Sequence, residues 1–179
     1  MKKNIKNLLY CLTFFLIFGC GSDDGVDQEN GGDNQVSGTI TLSGAETSEL
    51  GTSLTVGNIE VANASLTGTD KSAILLSQNI SVVENELVYD DYQNGFVIVA
   101  ADFSTGGSAD IDKSISMTIV KDGEEYSHAC SSPYLNFFTV CGDGFGIDFD
   151  AKSVTFDGTT VINTDNDTIL SMDGTITWD

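Results

Sequence analysis

Short stretches of alternating apolar and polar residues, separated by turn-forming Gly, Asn and Asp residues, fill the chain from Val36 onward. Alternation with a period of two is typical of half-buried β-strands, whereas an amphipathic helix needs a period of 3.6 residues. No stretch of useful length shows the helical period. The chain is therefore predicted to be all-β from Val36 onward, with roughly ten to thirteen short strands.

Three turns predict hairpins with one apolar face, and each register is testable because a slip of one residue exchanges the faces. The turn at Asp122-Gly123 predicts the pairs Ile119 with Tyr126, Met117 with His128, and Ile115 with Cys130. The turn at Gly57-Asn58 predicts Val56 with Ile59 and Leu54 with Val61. The turn over 150–153 predicts Phe149 with Val154 and Ile147 with Phe156.

Two further turn signals complete the predicted architecture. Asn94-Gly95 predicts a hairpin between residues 86–93 and 96–103, and the second of these strands is apolar on both faces, as expected of a central strand. Residues 169–178 predict another hairpin around Asp173-Gly174-Thr175. This many strands predicts a two-sheet antiparallel β-sandwich, with a closed β-barrel as the alternative.

A basic and apolar segment precedes Cys20. Three lysines lie within the first six residues, and an apolar run follows over 8–18. The run is shorter than the ~20 residues of a transmembrane helix and is typical of a signal peptide. Ile17-Phe18-Gly19-Cys20 resembles the lipobox of bacterial lipoproteins. The resemblance implies that residues 1–19 are removed and that Cys20 is lipidated as the new N-terminus.

Residues 20–35 consist of Cys20 and a polar, acidic segment that cannot bury enough apolar surface to order itself. They are predicted to be a tether for one all-β domain over 36–179. Ser22-Asp23-Asp24 resembles the acidic export signal of Bacteroidota-type surface lipoproteins. That resemblance implies a lipid-anchored protein on the outer face of the cell outer membrane. The alternative is a lipoprotein that faces the periplasm.

The charge of the chain excludes one class of partner. Its formal net charge is −20, from 27 acidic and seven basic residues, and it contains no arginine. Such a polyanion is repelled by nucleic acid and by anionic lipid headgroups. We therefore expect attachment to the outer membrane through the lipid anchor alone, and no nucleic-acid partner.

Two cysteines remain in the domain after Cys11 leaves with the signal peptide and Cys20 carries lipid. An even pair in an exported protein predicts a disulfide between Cys130 and Cys141. A zinc site is disfavoured because the chain has one histidine and no CxxC pair. Phe137, Phe138 and Val140 are predicted to form a strand packed under the disulfide.

His128 is the only imidazole that could serve a Ser-His or Cys-His mechanism. Its register on the Asp122-Gly123 hairpin predicts a packed core side chain instead. Paired carboxylates could in principle hydrolyse glycosides, but with 27 acidic residues some pair always lies at a suitable separation. No catalytic residue is therefore assigned.

Clustered aspartates are the candidate metal ligands, because carboxylate oxygens are the donors that Ca²⁺ prefers. The candidates are Asp143, Asp148 and Asp150 around a Gly-rich turn, and Asp165 and Asp167 around Asn166. Neither group completes an EF-hand pattern. The alternative is a solvated acidic surface with no cofactor.

The candidate ligand-binding residues are Tyr89, Asp91 and Tyr92. Aromatic rings can stack on sugar rings, and neighbouring carboxylates can accept hydrogen bonds from the sugar hydroxyls. Asp167-Thr168-Ile169 resembles the O-glycosylation sequon of Bacteroidota-type exported proteins, which implies Thr168 as an attachment site.

These observations favour a lipid-anchored binding or adhesion module of the cell envelope that is not an enzyme. Its partner would be a protein or a glycan. The alternatives are a small carboxylate-dependent hydrolase and a structural envelope lipoprotein without a soluble ligand.

Overall fold

The computed structural model describes residues 36–103, 111–133 and 139–179. The predicted signal peptide, Cys20 and the tether, together with Phe137 and Phe138, lie outside these residues. The strands are β1 (Val36–Ser37), β2 (Thr39–Gly44), β3 (Ser53–Thr55), β4 (Asn58–Val61), β5 (Ser72–Leu76), β6 (Ile80–Val83), β7 (Glu86–Tyr89), β8 (Gly95–Asp102), β9 (Lys113–Lys121), β10 (Glu124–Ser132), β11 (Gly146–Asp148), β12 (Ser153–Asn163) and β13 (Ile169–Trp178). Two helices of four residues are α1 (Thr47–Leu50) and α2 (Ala64–Thr67). Within the described ranges, no helix is long and apolar enough to cross a membrane.

The strands form two antiparallel sheets of very different size, which confirms the all-β prediction. The larger has eleven strands, in the order β3-β2-β13-β12-β10-β9-β8-β5-β4, with β1 beside β13 and β11 beside β12. The smaller contains only β6 and β7. The large sheet curls into a half-barrel, so that one continuous apolar cluster includes Leu54 and Ile59 from its two edges and Met117 from its middle.

The two edge strands of the large sheet, β3 and β4, are consecutive in the chain, and only Val56 and Gly57 connect them. The Val56 amide donates to the Gly38 carbonyl at 3.1 Å, and the Gly57 amide donates to the Leu76 carbonyl at 2.9 Å. Consecutive amides thus bond to the residue that precedes β2 and to the last residue of β5, which are the neighbours of the two edge strands. The hairpin predicted at Gly57-Asn58 is wrong, because β3 pairs with β2 and β4 pairs with β5. The alternation of apolar and polar residues shows which face of a strand is buried, but it does not show which strand pairs with it.

The hairpin predicted at Asp122-Gly123 is confirmed in every pair. Ile119 pairs with Tyr126, Met117 with His128, and Ile115 with Cys130. Asp122 and Gly123 both have positive φ, at 53° and 81°, which is the backbone that a two-residue hairpin turn needs.

The hairpin predicted at Asn94-Gly95 is wrong. β7 pairs with β6 through a turn at Glu84 and Asn85, whose φ values are 52° and 62°. β8 pairs with β5 and β9 instead. The central position predicted for β8 is correct, because this strand lies between two neighbours and packs on both faces.

The hairpin predicted around 150–153 exists, but its register is shifted by two residues. Ile147 pairs with Val154 and Asp148 with Ser153, so that the turn covers 149–152. An even shift leaves each side chain on its predicted face, and Ile147 still joins the apolar side.

Residues 169–178 form one continuous strand, so the predicted hairpin around Asp173-Gly174-Thr175 is wrong. Leu170, Met172, Ile176 and Trp178 are all buried in the alternating pattern of β13. Gly174 is required by close packing, because a Cβ atom there would lie 2.5 Å from the Thr39 carbonyl oxygen. The Asp173-Gly174 pair therefore reflects close packing of Gly174 against Thr39 and does not form a turn.

The disulfide between Cys130 and Cys141 lies where β10 and β12 diverge. These strands pair directly only at His128 with Asn163 and at Ala129 with Ile162. Beyond this point the segment 139–141 lies between them: the Ser131 amide donates to the Thr139 carbonyl, and the Thr160 amide donates to the Cys141 carbonyl. Val140 in this segment is 46% exposed, so it does not pack under the disulfide as predicted.

The small sheet covers part of the outer face of the large one. A second apolar cluster contains Ile74 and Leu76 from β5 and Ile80 from β6, with Val97 and Val99 of β8 packed against it. Every residue of β5 is buried for this reason. The same packing places the β6–β7 hairpin and the loop after it beside β8 and β9.

Candidate ligand-binding site

A groove of about 450 Å³ lies beside the small sheet, on the outer face of β8 and β9. Its volume falls within the range of ~300–1,000 Å³ typical of small-molecule sites. Its walls are apolar and aromatic, with a few polar groups. The lining residues are Ile80, Leu87, Tyr89, Tyr92, Gly95, Phe96, Val97, Thr118, Val120, Gly123 and Glu125.

Two of the three predicted ligand-binding residues, Tyr89 and Tyr92, line this groove together. Their rings stack with centroids 5.4 Å apart and an interplanar angle of 24°. Tyr89 is partly buried, whereas Tyr92 is 72% exposed. The partly buried Tyr89 ring therefore packs against the exposed Tyr92 ring and supports it.

Asp91, the third predicted residue, does not line the groove but fixes the loop that carries Tyr92. Its Oδ1 accepts a hydrogen bond from the Gln93 amide at 2.7 Å. Asn79 lies under the loop and donates through Nδ2 to the carbonyls of Asp91, at 3.1 Å, and Asn94, at 2.6 Å. Asp91 and Asn79 are thus positioning residues.

The far end of the same loop docks on the turn between β9 and β10. The Gly123 amide donates to the Gln93 carbonyl at 2.8 Å, and the Asp122 amide donates to Asn94 Oδ1 at 3.2 Å. The loop is anchored at both ends, so Tyr92 is held in place before any ligand arrives. Asn94-Gly95, read as a hairpin turn in the sequence, serves this anchorage.

Glu125 and Thr118 complete the groove, and sequence reasoning missed both. Glu125 is the only carboxylate among the lining residues, none of which is a lysine. Ser127 donates through Oγ to Glu125 Oε1 at 3.4 Å. For Thr118, the predicted hairpin register already indicated its position on the face of the sheet opposite Met117.

Among the candidate calcium ligands, Asp148 serves in a local turn. Asp148 Oδ1 accepts hydrogen bonds from the amides of Asp150, at 3.0 Å, and Ala151, at 2.8 Å. The five candidates are all exposed: Asp143, Asp148, Asp150, Asp165 and Asp167. Among the described residues, no three His, Cys, Asp or Glu side chains come together as a metal site.

Thr168 lies in the loop between β12 and β13 and is partly exposed. Its amide donates to Asn166 Oδ1 at 2.8 Å, and its carbonyl accepts from the Asn163 amide at 2.8 Å. Attachment of a glycan at Thr168 stays a prediction.

His128 lies in the core as its register predicts, with 1% of its surface exposed. It contacts a buried carboxylate that the sequence did not reveal: His128 Nε2 lies 2.7 Å from Glu46 Oε2. Asn163 and Asn166 donate to Glu46 Oε1 at 2.6 and 3.1 Å. Glu46 directly precedes α1, so this network fastens α1 to the junction of β10 and β12.

The ionised form of Glu46 is the one that this network favours. Burial by itself raises the pKa of a carboxyl group, but the hydrogen bonds from His128, Asn166 and Asn163 and the attraction of His128 outweigh it. The pKa of Glu46 is lowered from 4.5 as a result. Because an ionised carboxylate only accepts, His128 Nε2 is the donor.

Comparison with protein-family models, curated proteins and solved structures found no match to this chain. What the groove can bind follows from its lining. It offers a flat aromatic surface, an apolar floor and one carboxylate. These groups suit non-covalent recognition of a small, partly apolar ligand.

Proposed function

We propose that the protein is a lipid-anchored binding or adhesion module of the cell envelope and that the groove beside Tyr92 holds its ligand. The observation that carries the proposal is an aromatic pair stacked at 5.4 Å inside a cavity, with Tyr92 72% exposed. A large exposed aromatic side chain held by a fixed loop loses little conformational entropy on binding.

The groove chemistry supports binding without catalysis. Glycoside hydrolysis in most enzymes requires two carboxylates on either side of the scissile bond, and the groove lining contributes only Glu125. The one histidine is 1% exposed, and its Nε2 is bonded to Glu46. His128 is therefore not available to activate a nucleophile in the groove.

The proposed anchor rests on the N-terminal sequence. A lipobox-like segment ends at Cys20, and a polar tether separates this cysteine from the first strand at Val36. A flexible chain of about 15 residues has a root-mean-square reach of roughly 20 Å, which suffices to hold a domain away from a lipid surface.

Replacement of Tyr92 by alanine tests the proposed site. The full-length lipoprotein in detergent micelles would be titrated with fluorescently labelled envelope polysaccharide and envelope protein fractions. We expect at least one fraction to bind, and Tyr92→Ala to weaken that binding about tenfold because it removes the exposed ring.

Val88→Ala is the matched control. Val88 is 43% exposed on β7 and does not line the groove, so its truncation should leave binding unchanged. Thermal unfolding of both variants should match that of the wild type. Wild-type affinity in Tyr92→Ala, or an equal loss in Val88→Ala, would refute the groove as the site.

A further inference from the structure

We infer that the ligand of the groove is an uncharged saccharide, which stacks on the ring of Tyr92 and donates hydroxyl hydrogen bonds to Glu125. This inference rests on the proposed function and names the class of ligand for the same site. Four properties of the groove lead to it: ring geometry, charge, size and rigidity.

The ring geometry favours a flat ligand. Tyr89 and Tyr92 are nearly parallel, at 24°, so one face of the Tyr92 ring stacks on its partner, and 72% of the Tyr92 surface is exposed. Aromatic cages for ammonium groups instead surround a cation with several rings. An exposed ring stacked on a second ring matches the flat C–H face of a pyranose.

The charge of the lining excludes anionic ligands. Glu125 is the only carboxylate that lines the groove, no lysine lies among the lining residues, and the chain carries a net charge of −20. Phosphates, sulfates and uronic acids would meet repulsion with no compensating cation. A carboxylate accepts up to two hydroxyl donors on each oxygen, which is the complement of a sugar edge.

The size and rigidity of the groove fit a short saccharide segment. The volume of about 450 Å³ accommodates a small ligand and not an extended protein surface. Asn79 and Asp91 fix the Tyr92 loop through three hydrogen bonds of 2.6 to 3.1 Å. A preformed site of this kind can bind a polar ligand whose contacts are individually weak.

A panel of defined oligosaccharides tests the inference on the full-length lipoprotein in micelles. The probes are neutral oligomers of glucose, mannose, galactose and N-acetylglucosamine, with oligogalacturonate as the anionic probe and tetralysine as the cationic probe. Calorimetry would measure affinity, and saturation-transfer NMR would map the bound sugar protons. We expect a neutral oligomer to bind at least about tenfold more tightly than either charged probe.

Substitutions separate stacking from hydrogen bonding. Tyr92→Ala should weaken the neutral oligomer about tenfold, whereas Tyr92→Phe should stay within about threefold because the ring remains. Glu125→Gln keeps one acceptor oxygen and should weaken binding about threefold to tenfold. Saturation transfer should be strongest on the ring C–H protons of the sugar.

The outcomes distinguish the inference from the proposed function. If no neutral oligomer binds, or a charged probe binds most tightly, the saccharide inference is wrong. If envelope fractions still bind in a Tyr92-dependent manner in that case, the groove remains the site for another ligand. If neither oligomers nor fractions depend on Tyr92, both proposals fail.

Discussion

At the scale of single residues, the buried carboxylate of Glu46 is the least expected feature. The network contains one acid, one histidine and two amides, and Glu46 lies 82 residues from His128 in sequence. Removing one member of a buried hydrogen-bonded pair leaves the other unsatisfied, which costs more than the pair contributes. The network therefore fixes where α1 meets the large sheet.

Glu46→Gln should reduce stability at neutral pH by about 1–3 kcal/mol, because a charge-assisted acceptor is replaced by a neutral amide. The folded-state pKa of Glu46 lies below its ordinary value of 4.5. Its contribution is therefore fully present above pH 4.5 and is lost as the pH falls through the folded-state pKa. Chemical denaturation at pH 7 and at several values below pH 4.5 measures the difference.

The exposed Glu49 on α1 supplies the control for this experiment. Glu49→Gln should change the free energy of unfolding by less than about 0.5 kcal/mol at any of these pH values. A deficit of Glu46→Gln that is the same at pH 7 and pH 3 would contradict the ionic role of Glu46.

At the scale of elements, apolar alternation and turn residues predicted the buried face of each strand well but its pairing partner poorly. The Asp122-Gly123 hairpin was predicted pair by pair because its strands are contiguous and its turn residues adopt positive φ. At Gly57-Asn58 the burial of Val56 and Ile59 was correct, yet their strands pair elsewhere. Pairing of distant strands depends on packing of the whole sheet, which no short window contains.

The candidate site shows the same limit. Tyr89 and Tyr92 could be singled out because they are close in sequence and chemically distinctive. Glu125 could not, because it reaches the groove only when the β6–β7 hairpin folds over β8 and β9. The Glu46 network joins residues 82 to 120 positions apart and left no local pattern.

The disulfide should stabilise the junction of β10 and β12. Replacing Cys130 and Cys141 together by serine opens a loop with a sequence separation of 11, which should cost about 3 kcal/mol of unfolding free energy. Urea denaturation of the variant and of the wild type measures the loss. Dithiothreitol should destabilise the wild type by a similar amount and leave the variant unchanged. Alkylation of Cys130 without prior reduction would contradict the bond.

At the scale of the whole molecule, the passage of the chain from β3 to β4 holds the two edges of the curled sheet together. Gly57 makes this passage possible, because a Cβ atom there would lie 2.4 Å from Gln78 Cα and 2.6 Å from Gln78 N. These are backbone atoms that cannot rotate away. In Gly57→Ala, residue 57 and the backbone of Gln78 must therefore move apart.

Gly57→Ala should lower the free energy of unfolding by about 3 kcal/mol, the upper part of the range for overpacking. Gly146→Ala is the matched control, because its Cβ would meet only Asp102 Oδ2 at an ordinary 3.8 Å. That variant should change stability by less than about 1 kcal/mol. Hydrogen exchange should locate the loss for Gly57→Ala at β3 and β4. Equal stability of the two variants would show that close packing of Gly57 on Gln78 is not required.

The position of the domain relative to the membrane determines which ligands reach the groove. Replacing Asp23 and Asp24 together by alanine removes the acidic pair next to Cys20 that resembles a surface-export signal. We expect lower protease accessibility on intact cells with unchanged membrane association, because the substitution leaves the proposed lipidation site at Cys20 intact. Asp27→Ala, in the same tether but farther from Cys20, should leave accessibility unchanged. If the wild-type domain is already protected on intact cells, it faces the periplasm, and the ligand of the groove must then be sought among periplasmic saccharides.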